Sequence, residues 1–376
     1  MITLRRRPTR WLAAVGLLCA ATSLRAQRIS DSAFASLVIH ISESGGYFDS
    51  DNIITNEASY LQIASQLQKV GTHGGVYMGV GPDQNFSYIA MIRPRIAFMI
   101  DIRRDNLLEH LLFKSYFAVA RNRLEYLCLL FGKPVPADID KWTGRPPGEI
   151  LAELASIKVD SQTVKATAKA SNDRIMSLGV PLDAKDRETI DRYRATFVSE
   201  GLDTRYSSIG RNNRSDYPSF GILMLEKDRE GHESSYLADE TAFQFVRSLQ
   251  MENRIVPIVG NVAGKSAIKN VADYANAQHL VVSAFYLSNV EQYLMGRNGG
   301  FDAYAKNVKL LPHDSTSVII RSYFGRLGLP HPLYVPAPGN ISTSMIERMS
   351  SFLSAYAAGQ LQTYGDLTFS RYITPW

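Results

Sequence analysis

The sequence is poor in cysteine. Its 376 residues include two, Cys19 and Cys128. Cys19 lies in an N-terminal segment that we expect to be removed, so the mature chain would keep one cysteine and could form no intrachain disulfide. Cys128 lies in an apolar helical run, where a buried, unreactive thiol is a better interpretation than a nucleophile.

Motifs that define several common enzyme classes are also absent. The sequence has no Gly-x-Ser-x-Gly elbow, no Walker phosphate loop and no His-Glu-x-x-His block. Its histidines show no metal-ligand spacing. An early loop is rich in acids and amides that could bind a cation, but hydrated loop acids capping the next helix are the simpler interpretation. These loop residues are Asp49, Asp51, Asn52, Asn56 and Glu57. We therefore predict no metal site.

The first residues have the parts of a secretory signal peptide. A basic stretch at 5–10 precedes an apolar run from Trp11 to Leu24 and the small residue Ala26. The run is far short of the ~20 residues that span a bilayer, which disfavours a retained membrane anchor. We predict cleavage after Ala26, giving a mature chain that begins at Gln27, is periplasmic or extracellular, and has no membrane segment.

The mature chain would also lack net charge. Residues 1–26 hold five arginines and no acid, so their removal lowers Lys+Arg from 41 to 36, which equals the 36 Asp+Glu. There is no dense Lys/Arg run either. The sequence thus offers no electrostatic basis for nucleic-acid binding, and a small molecule is the expected partner. We predict no particular oligomeric state.

Five apolar runs predict a buried, mostly parallel sheet. The runs are 76–80, 96–102, 254–260, 279–286 and 317–323. Continuous apolar strands are buried on both faces, which is typical of parallel sheets covered by helices. Helical patterns occupy the intervals, including a long one over 106–131. The expected fold class is α/β, a doubly wound sheet with its ligand cleft at the carboxyl ends of the strands.

Residues 133–240 differ from the rest, because they are polar and helical in pattern. Turn signals interrupt them, and 220–225 is the one plausible strand. We predict a helical insertion over this span. The remaining divisions are the signal peptide at 1–26, N-terminal helices and the first half of a Rossmann domain at 27–132, and its second half at 241–376.

A glycine turn follows the first strand, in a layout that suits an adenosine-containing cofactor. Gly79 and Gly81 allow close approach of a ligand, and the following helix offers free N–H groups. Asp101 comes twenty residues after Gly81, at the end of the next strand, from where a carboxylate can accept hydrogen bonds from ribose. A purely structural turn is the alternative.

Two residues of this turn depart from the dinucleotide fingerprint. Gln84 takes the place of the third glycine, and Asp83 adds a negative charge. A carboxylate there would repel a pyrophosphate but permit a cationic sulfonium. This argues against NAD or FAD and points to S-adenosylmethionine.

Four blocks of the sequence resemble a widespread family of uncharacterised bacterial proteins with a class I methyltransferase-like fold. They read GGYFDSDNIITNEASYL, YMGVGPDQNFSYIAMIRPRIAFMIDIRRDNLLEHLLFK, RIVPIVGNVAG and VVSAFYLSNVEQYL. The resemblance implies a methyltransferase-like Rossmann fold. It also implies that Gly79, Gly81 and Asp83 face the methionine part of the cofactor. By the same resemblance Asp101 holds the ribose and Asn261, in place of the usual acid, meets the adenine through its carbonyl.

The resemblance further implies that the end of the fourth strand meets the substrate. That segment reads Tyr286, Leu287, Ser288, Asn289, which is not the Asp/Asn-Pro-Pro-Tyr block of amino-methylating enzymes. Asn289 can orient a substrate donor through its carbonyl, and Tyr286 can stack on adenine or substrate. Capping of the next helix by Ser288 or Asn289 is the alternative.

These observations lead to an expected function with two alternatives. The first expectation is an exported S-adenosylmethionine-dependent methyltransferase-like protein that acts on an unknown small molecule. Because this cofactor is made in the cytoplasm, a second expectation is a binding protein that kept the fold and lost the reaction. A third is a factor that leaves the cell and meets the cofactor inside a host.

Overall fold

The computed structural model describes residues 28–208, 216–296, 299–325, 331–336 and 340–375. The predicted signal peptide at 1–26 lies outside these residues. Among the helices that are described, none is both long and apolar enough to cross a membrane.

A six-stranded sheet forms the centre of the molecule. Its strands are β1 Val76–Val80, β2 Ile96–Asp101, β3 Ile255–Val259, β4 Val282–Tyr286, β5 Val318–Phe324 and β6 Ser342–Arg348. The spatial order is β3-β2-β1-β4-β5-β6. Strands β1 to β5 are parallel, and β6 is antiparallel to β5. Every residue of β1 to β4 is buried, as continuous apolar strands require.

Helices surround this sheet. In the described residues they are α1 Asp31–Ile41, α2 Ala64–Val70, α3 Gln84–Ile92, α4 Arg104–Val119, α5 Arg123–Leu130, α6 Pro147–Ser156, α7 Ser161–Ser177, α8 Ala184–Glu200, α9 Phe220–Met224, α10 Glu240–Met251, α11 Ala267–Ala277, α12 Val290–Met295, α13 Gly300–Leu310, α14 Met349–Ala357 and α15 Tyr364–Thr368. Short 3-10 helices lie at Ala58–Ile63, Ile139–Trp142 and Gly201–Asp203. The predicted α/β class with a mostly parallel sheet is confirmed, and the fold is Rossmann-like.

The long helix predicted over 106–131 is two helices, α4 and α5. Ala120 leaves the helical conformation, and Asn122 starts a new helix because its side chain accepts the backbone N–H of Glu125 at 3.0 Å. Such capping satisfies an N–H group that has no partner within the helix. The helical spacing of apolar residues continues from α4 into α5, so the sequence pattern did not reveal the break between the two helices.

The span 133–240 contains helices α6 to α9 and, within its described residues, no strand of the sheet. Helices α7 and α8 pack on α4. The strand predicted at 220–225 is wrong: these residues form α9, whose first turn is capped by the Ser219 hydroxyl through the N–H of Ile222. A short apolar run does not by itself distinguish a buried strand from a buried helical turn.

A buried ionic cluster fixes β5, β6 and α12 relative to one another. The Arg321 guanidinium donates to Glu291 at 2.6 Å and to Glu347 at 2.7 Å, and all three side chains are almost fully buried. Tyr304 donates a further hydrogen bond to Glu291 at 3.0 Å. Removing one partner would leave an uncompensated buried charge, so this cluster holds α12 in one position beside the sheet.

Candidate functional site

A cleft of about 610 Å³ lies at the carboxyl ends of the parallel strands. It is lined by residues at or just beyond the ends of β1 to β5, at 80–81, 101–103, 260–262, 288–290 and 323–325. The strand order reverses between β1 and β4, and ligands of doubly wound folds bind at such a switch point. The volume is within the ~300–1,000 Å³ typical of ligand pockets.

Four of the seven predicted site residues line this cleft, namely Gly81, Asp101, Asn261 and Asn289. The other three, Gly79, Asp83 and Tyr286, are buried beside it and do not line it. The structure therefore brings together one predicted residue at the end of each of β1 to β4.

Gly81 forms the turn after β1 and has a φ of +82°, which strongly favours glycine. A Cβ there would also lie 3.1 Å from the Asn52 side-chain nitrogen. The Gly81 carbonyl accepts a hydrogen bond from His110 Nε2 at 2.9 Å. Burial lowers the pKa of His110 to about 4, so this ring is neutral and fixes the turn rather than carrying charge.

Gly79 is required by packing inside the turn. A Cβ there would lie 1.9 Å from Asn85 Oδ1 and 2.7 Å from the Tyr77 hydroxyl. Tyr77 donates to Asn85 Oδ1 at 2.7 Å, and the Asn85 amide donates to the Val80 carbonyl at 2.9 Å. The glycine thus makes room for a side-chain network that shapes the turn, and its predicted contact with the methionine part of a cofactor is not what the geometry provides.

Asp83 points into the core, where it accepts a hydrogen bond from the Tyr236 hydroxyl at 3.0 Å. Burial raises the pKa of Asp83 to about 6, although the hydrogen bond from Tyr236 lowers it. Because Asp83 does not face the cleft, it neither repels a pyrophosphate nor attracts a sulfonium there. The charge of Asp83 therefore does not distinguish NAD or FAD from S-adenosylmethionine.

Tyr286 is fully buried. Its hydroxyl accepts a hydrogen bond from Gln84 Nε2 at 3.2 Å, and its ring centroid lies 5.1 Å from that of Tyr88. The ring is part of the core beneath the cleft, so the predicted stacking on adenine or substrate is not available to it. Side chains alternate between the two faces of a strand, and the sequence did not reveal which face Tyr286 occupies.

Asp101 ends β2 and is paired with Arg103. One carboxylate oxygen accepts the Arg103 backbone N–H at 2.8 Å, and the other accepts its guanidinium at 3.2 Å. Arg103 also donates to the carbonyls of Ser50 at 2.9 Å and Asp51 at 2.7 Å. The pair therefore ties the early loop to β2. A carboxylate offers about four acceptor positions, so positions remain for a ligand.

Asn261 follows β3, and its side-chain carbonyl already accepts the N–H of Ala263 at 2.9 Å. The carbonyl can accept a second hydrogen bond and the amide NH₂ can donate, so the predicted contact of Asn261 with adenine stays a prediction. The backbone N–H of Asn261 donates to the Glu43 carboxylate at 2.9 Å, as do Ser266 at 2.8 Å and Ala267 at 3.2 Å. Although burial raises the pKa of Glu43, these hydrogen bonds outweigh it and lower the pKa. Glu43 thus fills the anion-binding N-terminus of α11 from within the chain.

The segment after β4 does not use its polar side chains as helix caps. Asn289 stands at the start of α12 and makes no side-chain capping bond. The Ser288 hydroxyl instead donates to the carboxylate of Glu57, which is buried behind it. The capping alternative is therefore wrong for both residues, and Asn289 lines the cleft with its amide available.

The early loop folds over the cleft, and Asn52 and Asn56 line it. The Asp51 carboxylate of this loop accepts hydrogen bonds from the backbone N–H and the hydroxyl of Ser207. Within the described ranges, no three His, Cys, Asp or Glu side chains are grouped so that they could hold a metal ion.

Aromatic side chains make up much of the cleft wall, and sequence reasoning missed them. They are Tyr47, Phe48, Tyr206, Tyr217, Tyr293, Tyr323, Phe324 and Tyr334. Phe48 packs edge-to-face on Tyr293 with ring centroids 5.2 Å apart, and Tyr206 packs in the same way on Tyr217 at 5.2 Å. The rings come from the early loop, the predicted insertion, α12, β5 and the segment 331–336 that follows β5. No local pattern in the sequence connects such distant segments.

Comparison with known families gives one match. The profile of a domain of unknown function, DUF7790, matches residues 52–135 and 219–363, which together are more than half of the chain. The chain belongs to this family. The matched segments include the ends of β1 to β5, and the interval between them, 136–218, falls inside the predicted insertion. No curated protein matches the chain.

Proposed function

We propose that the cleft binds S-adenosylmethionine and that the protein is methyltransferase-like, acting on a small molecule. One observation carries an adenosine-containing ligand: Asp101, at the end of β2, lines the same cleft as the glycine turn at Gly81 after β1. The choice of S-adenosylmethionine among such ligands rests on the resemblance of the sequence to methyltransferase-like proteins. In doubly wound folds these two positions meet the ribose and the adjoining part of an adenosine-containing ligand. The Rossmann-like strand order supports this placement.

The pairing of Asp101 with Arg103 suits a ribose ligand. The guanidinium holds the carboxylate in one orientation, at 3.2 Å, before any ligand arrives. A preoriented group loses less conformational entropy on binding. The unused acceptor positions of the carboxylate can take hydrogen bonds from ribose hydroxyls, and hydrogen bonds to charged groups contribute ~1.5–3 kcal/mol each.

The other lining residues support an adenine at the neighbouring position. The Asn261 amide NH₂ can donate to a ring nitrogen, and its carbonyl, which accepts one N–H within the chain, can accept a second hydrogen bond from the adenine amino group. The aromatic wall offers flat apolar surfaces, of which the Phe48–Tyr293 pair is one. Apolar walls with a few placed polar groups are what ligand pockets of this size generally show.

The same cleft also supports a second candidate, a binding protein without activity. Its charged lining residues within the described chain, Asp101 and Arg103, bond to each other. The lining histidine, His331, is engaged at both ring nitrogens, at 2.6 Å to the Thr368 carbonyl and 3.0 Å to the Leu333 N–H. Because Asp101, Arg103 and His331 already bond within the chain, these described lining residues suit binding of a ligand better than proton transfer.

Calorimetric titration with S-adenosylmethionine and S-adenosylhomocysteine tests the proposal on residues 27–376. We expect Asp101→Ala to weaken binding at least ~10-fold, because a loss of ~1.4 kcal/mol is a factor of ten. Asp83→Asn is the matched control: it changes a buried acid beside the same turn that does not line the cleft, and affinity should be retained. Melting curves of all three proteins show whether the variants are folded.

Each result of the titration bears on a different part of the proposal. No binding by the wild-type chain would reject the cofactor. Equal binding by wild type and Asp101→Ala would reject the role of Asp101. Binding without methyl transfer to a broad set of acceptors would favour the binding protein.

A further inference from the structure

A buried glutamate reaches the cleft through a serine. Glu57 is 1% exposed, and its two carboxylate oxygens accept hydrogen bonds from the hydroxyls of Ser288 and Ser322. Ser288 follows β4 and lines the cleft, whereas Ser322 is buried within β5. The carboxylate therefore lies behind the floor of the cleft, with one hydroxyl between it and a bound ligand.

The backbone at Ser288 is held in an unusual conformation. Its φ is +52°, a region that L-residues other than glycine and asparagine rarely adopt. Its carbonyl accepts the N–H of Ser322 at 2.7 Å, which fixes the turn from the neighbouring strand. Residues in such conformations concentrate at functional sites, where the surrounding structure maintains the strain. In this conformation the Ser288 hydroxyl donates to Glu57, and the N-terminus of α12 has no side-chain cap.

The environment of Glu57 makes its carboxylate a stronger base than an exposed glutamate. Burial raises the pKa of Glu57, and the hydrogen bonds from Ser288 and Ser322 lower it by less. Among the described residues, the titratable groups that face Glu57 are four tyrosines, Tyr77, Tyr88, Tyr286 and Tyr364. Burial raises the pKa of each of these tyrosines well above 10, so they stay neutral while Glu57 titrates.

Aromatic side chains line the same cleft as Ser288. Tyr293 lies on the helix that follows Ser288, and Tyr323 comes directly after Ser322 on β5; both line the cleft. Phe48 packs on Tyr293, and Tyr323 lies with its ring centroid 5.8 Å from that of His331. Offset and edge-to-face contacts with such rings favour a planar aromatic ligand.

Resting on the function proposed above, we infer that the acceptor substrate is an aromatic alcohol whose hydroxyl proton passes through Ser288 to Glu57. Ser288 is the residue that touches the substrate, and Glu57 acts through it. This assigns a proton acceptor, a role for which Asp101, Arg103 and His331 are not free because they bond within the chain.

The proposed step balances in atoms and charge. The substrate oxygen attacks the methyl carbon of the sulfonium, the new C–O bond forms, and the C–S bond breaks with its electron pair staying on sulfur. The substrate proton moves to Ser288 Oγ while the Ser288 proton moves to Glu57. The products are a methyl ether, neutral S-adenosylhomocysteine and protonated Glu57, which returns its proton through Ser288 to water in the cleft.

The test is the pH dependence of methyl transfer from isotopically labelled S-adenosylmethionine to a naphthol. In the wild-type chain the rate should rise with pH as Glu57 loses its proton. This rise should occur at a lower pH than the ionisation of the naphthol, which would itself remove the need for a base. In Glu57→Gln this rise should disappear, and the rate should fall on the order of 10²-fold or more, as for loss of a general base. Ser288→Gly should show the same loss of the rise and the same fall in rate. Glycine readily adopts the positive φ of this position, so this variant is expected to fold.

Two controls separate this role from a structural one. Glu109→Gln makes the same chemical change at another fully buried glutamate, which does not line the cleft, and it should keep the wild-type pH profile. Ser322→Ala removes one hydrogen bond that lowers the pKa of Glu57, so the rise should move to higher pH. Affinity for S-adenosylhomocysteine, measured on the same proteins, should be unchanged in Glu57→Gln.

The outcomes distinguish the two proposals. If wild type binds S-adenosylhomocysteine and Glu57→Gln keeps the wild-type rate and profile, the role of Glu57 is refuted and the cofactor proposal stands. If wild type binds the cofactor but methylates neither a naphthol nor simpler phenols, the aromatic-alcohol class is refuted. If the cofactor does not bind, both proposals fall together.

Discussion

Glu109 lies on a buried polar face of α4. Neither of its carboxylate oxygens has a hydrogen-bond partner among the described residues, and the adjacent Asn106 and His110 also keep unpartnered side-chain atoms. Burial raises the pKa of Glu109 well above its ordinary value, and the charge of Asp83 raises it further. An acid whose folded-state pKa is raised stabilises the protein at low pH and loses that contribution as pH rises through the folded pKa.

Glu109→Gln should therefore change the pH dependence of stability. Glutamine has nearly the shape of the protonated acid and no proton to lose. Above the ordinary pKa of glutamate, the free energy of unfolding of wild type should fall relative to the variant as pH rises, with a slope of at most ~1.4 kcal/mol per pH unit for one proton. Urea unfolding of both proteins over a pH series measures this difference, and parallel curves would show that Glu109 is charged in the folded state.

For single residues, the spacing of motifs along the sequence predicted where the chain passes the cleft better than it predicted which side chains face the cleft. Gly81 and Asp101 were found because a turn and a strand end occur at recognisable distances along the chain. Asp83 and Tyr286 were assigned wrongly because the direction of a side chain depends on partners distant in sequence, Tyr236 and Gln84 respectively. The contact of Glu57 with Ser288 spans 231 positions, and nothing local predicts it.

At the scale of elements, the five parallel strands were predictable because each is a continuous apolar run. The sixth strand, β6, was not predicted because only two residues of its sequence STSMIER, Met345 and Ile346, are apolar, although all but the last residue are buried. The buried hydroxyls of β6 form hydrogen bonds with another hydroxyl: Ser59 Oγ lies 2.7 Å from Ser342 Oγ and 3.0 Å from Ser344 Oγ. A hydropathy pattern cannot show that a polar side chain will find such a partner in the core.

At the scale of the whole molecule, the cleft is assembled from segments between Tyr47 and Thr343 that meet only in the folded chain. We propose that this folded unit is exported, on the basis of the signal-like residues 1–26. Mass spectrometry of protein recovered outside the cytoplasm should then find Gln27 as the first residue. Recovery of a chain that still carries Met1, in the cytosolic fraction alone, would contradict export and remove the question of how the cofactor is supplied.

The most direct test of the central claim is a crystal structure of residues 27–376 soaked with S-adenosylhomocysteine. We predict that the ligand occupies the cleft, with ribose hydroxyls within about 2.5–3.2 Å of the Asp101 carboxylate, the range of ordinary hydrogen bonds. Its sulfur should face the part of the cleft lined by Ser288 and Asn289. Ligand bound away from the carboxyl ends of the strands, or a cleft that holds only water at a saturating ligand concentration, would contradict the account.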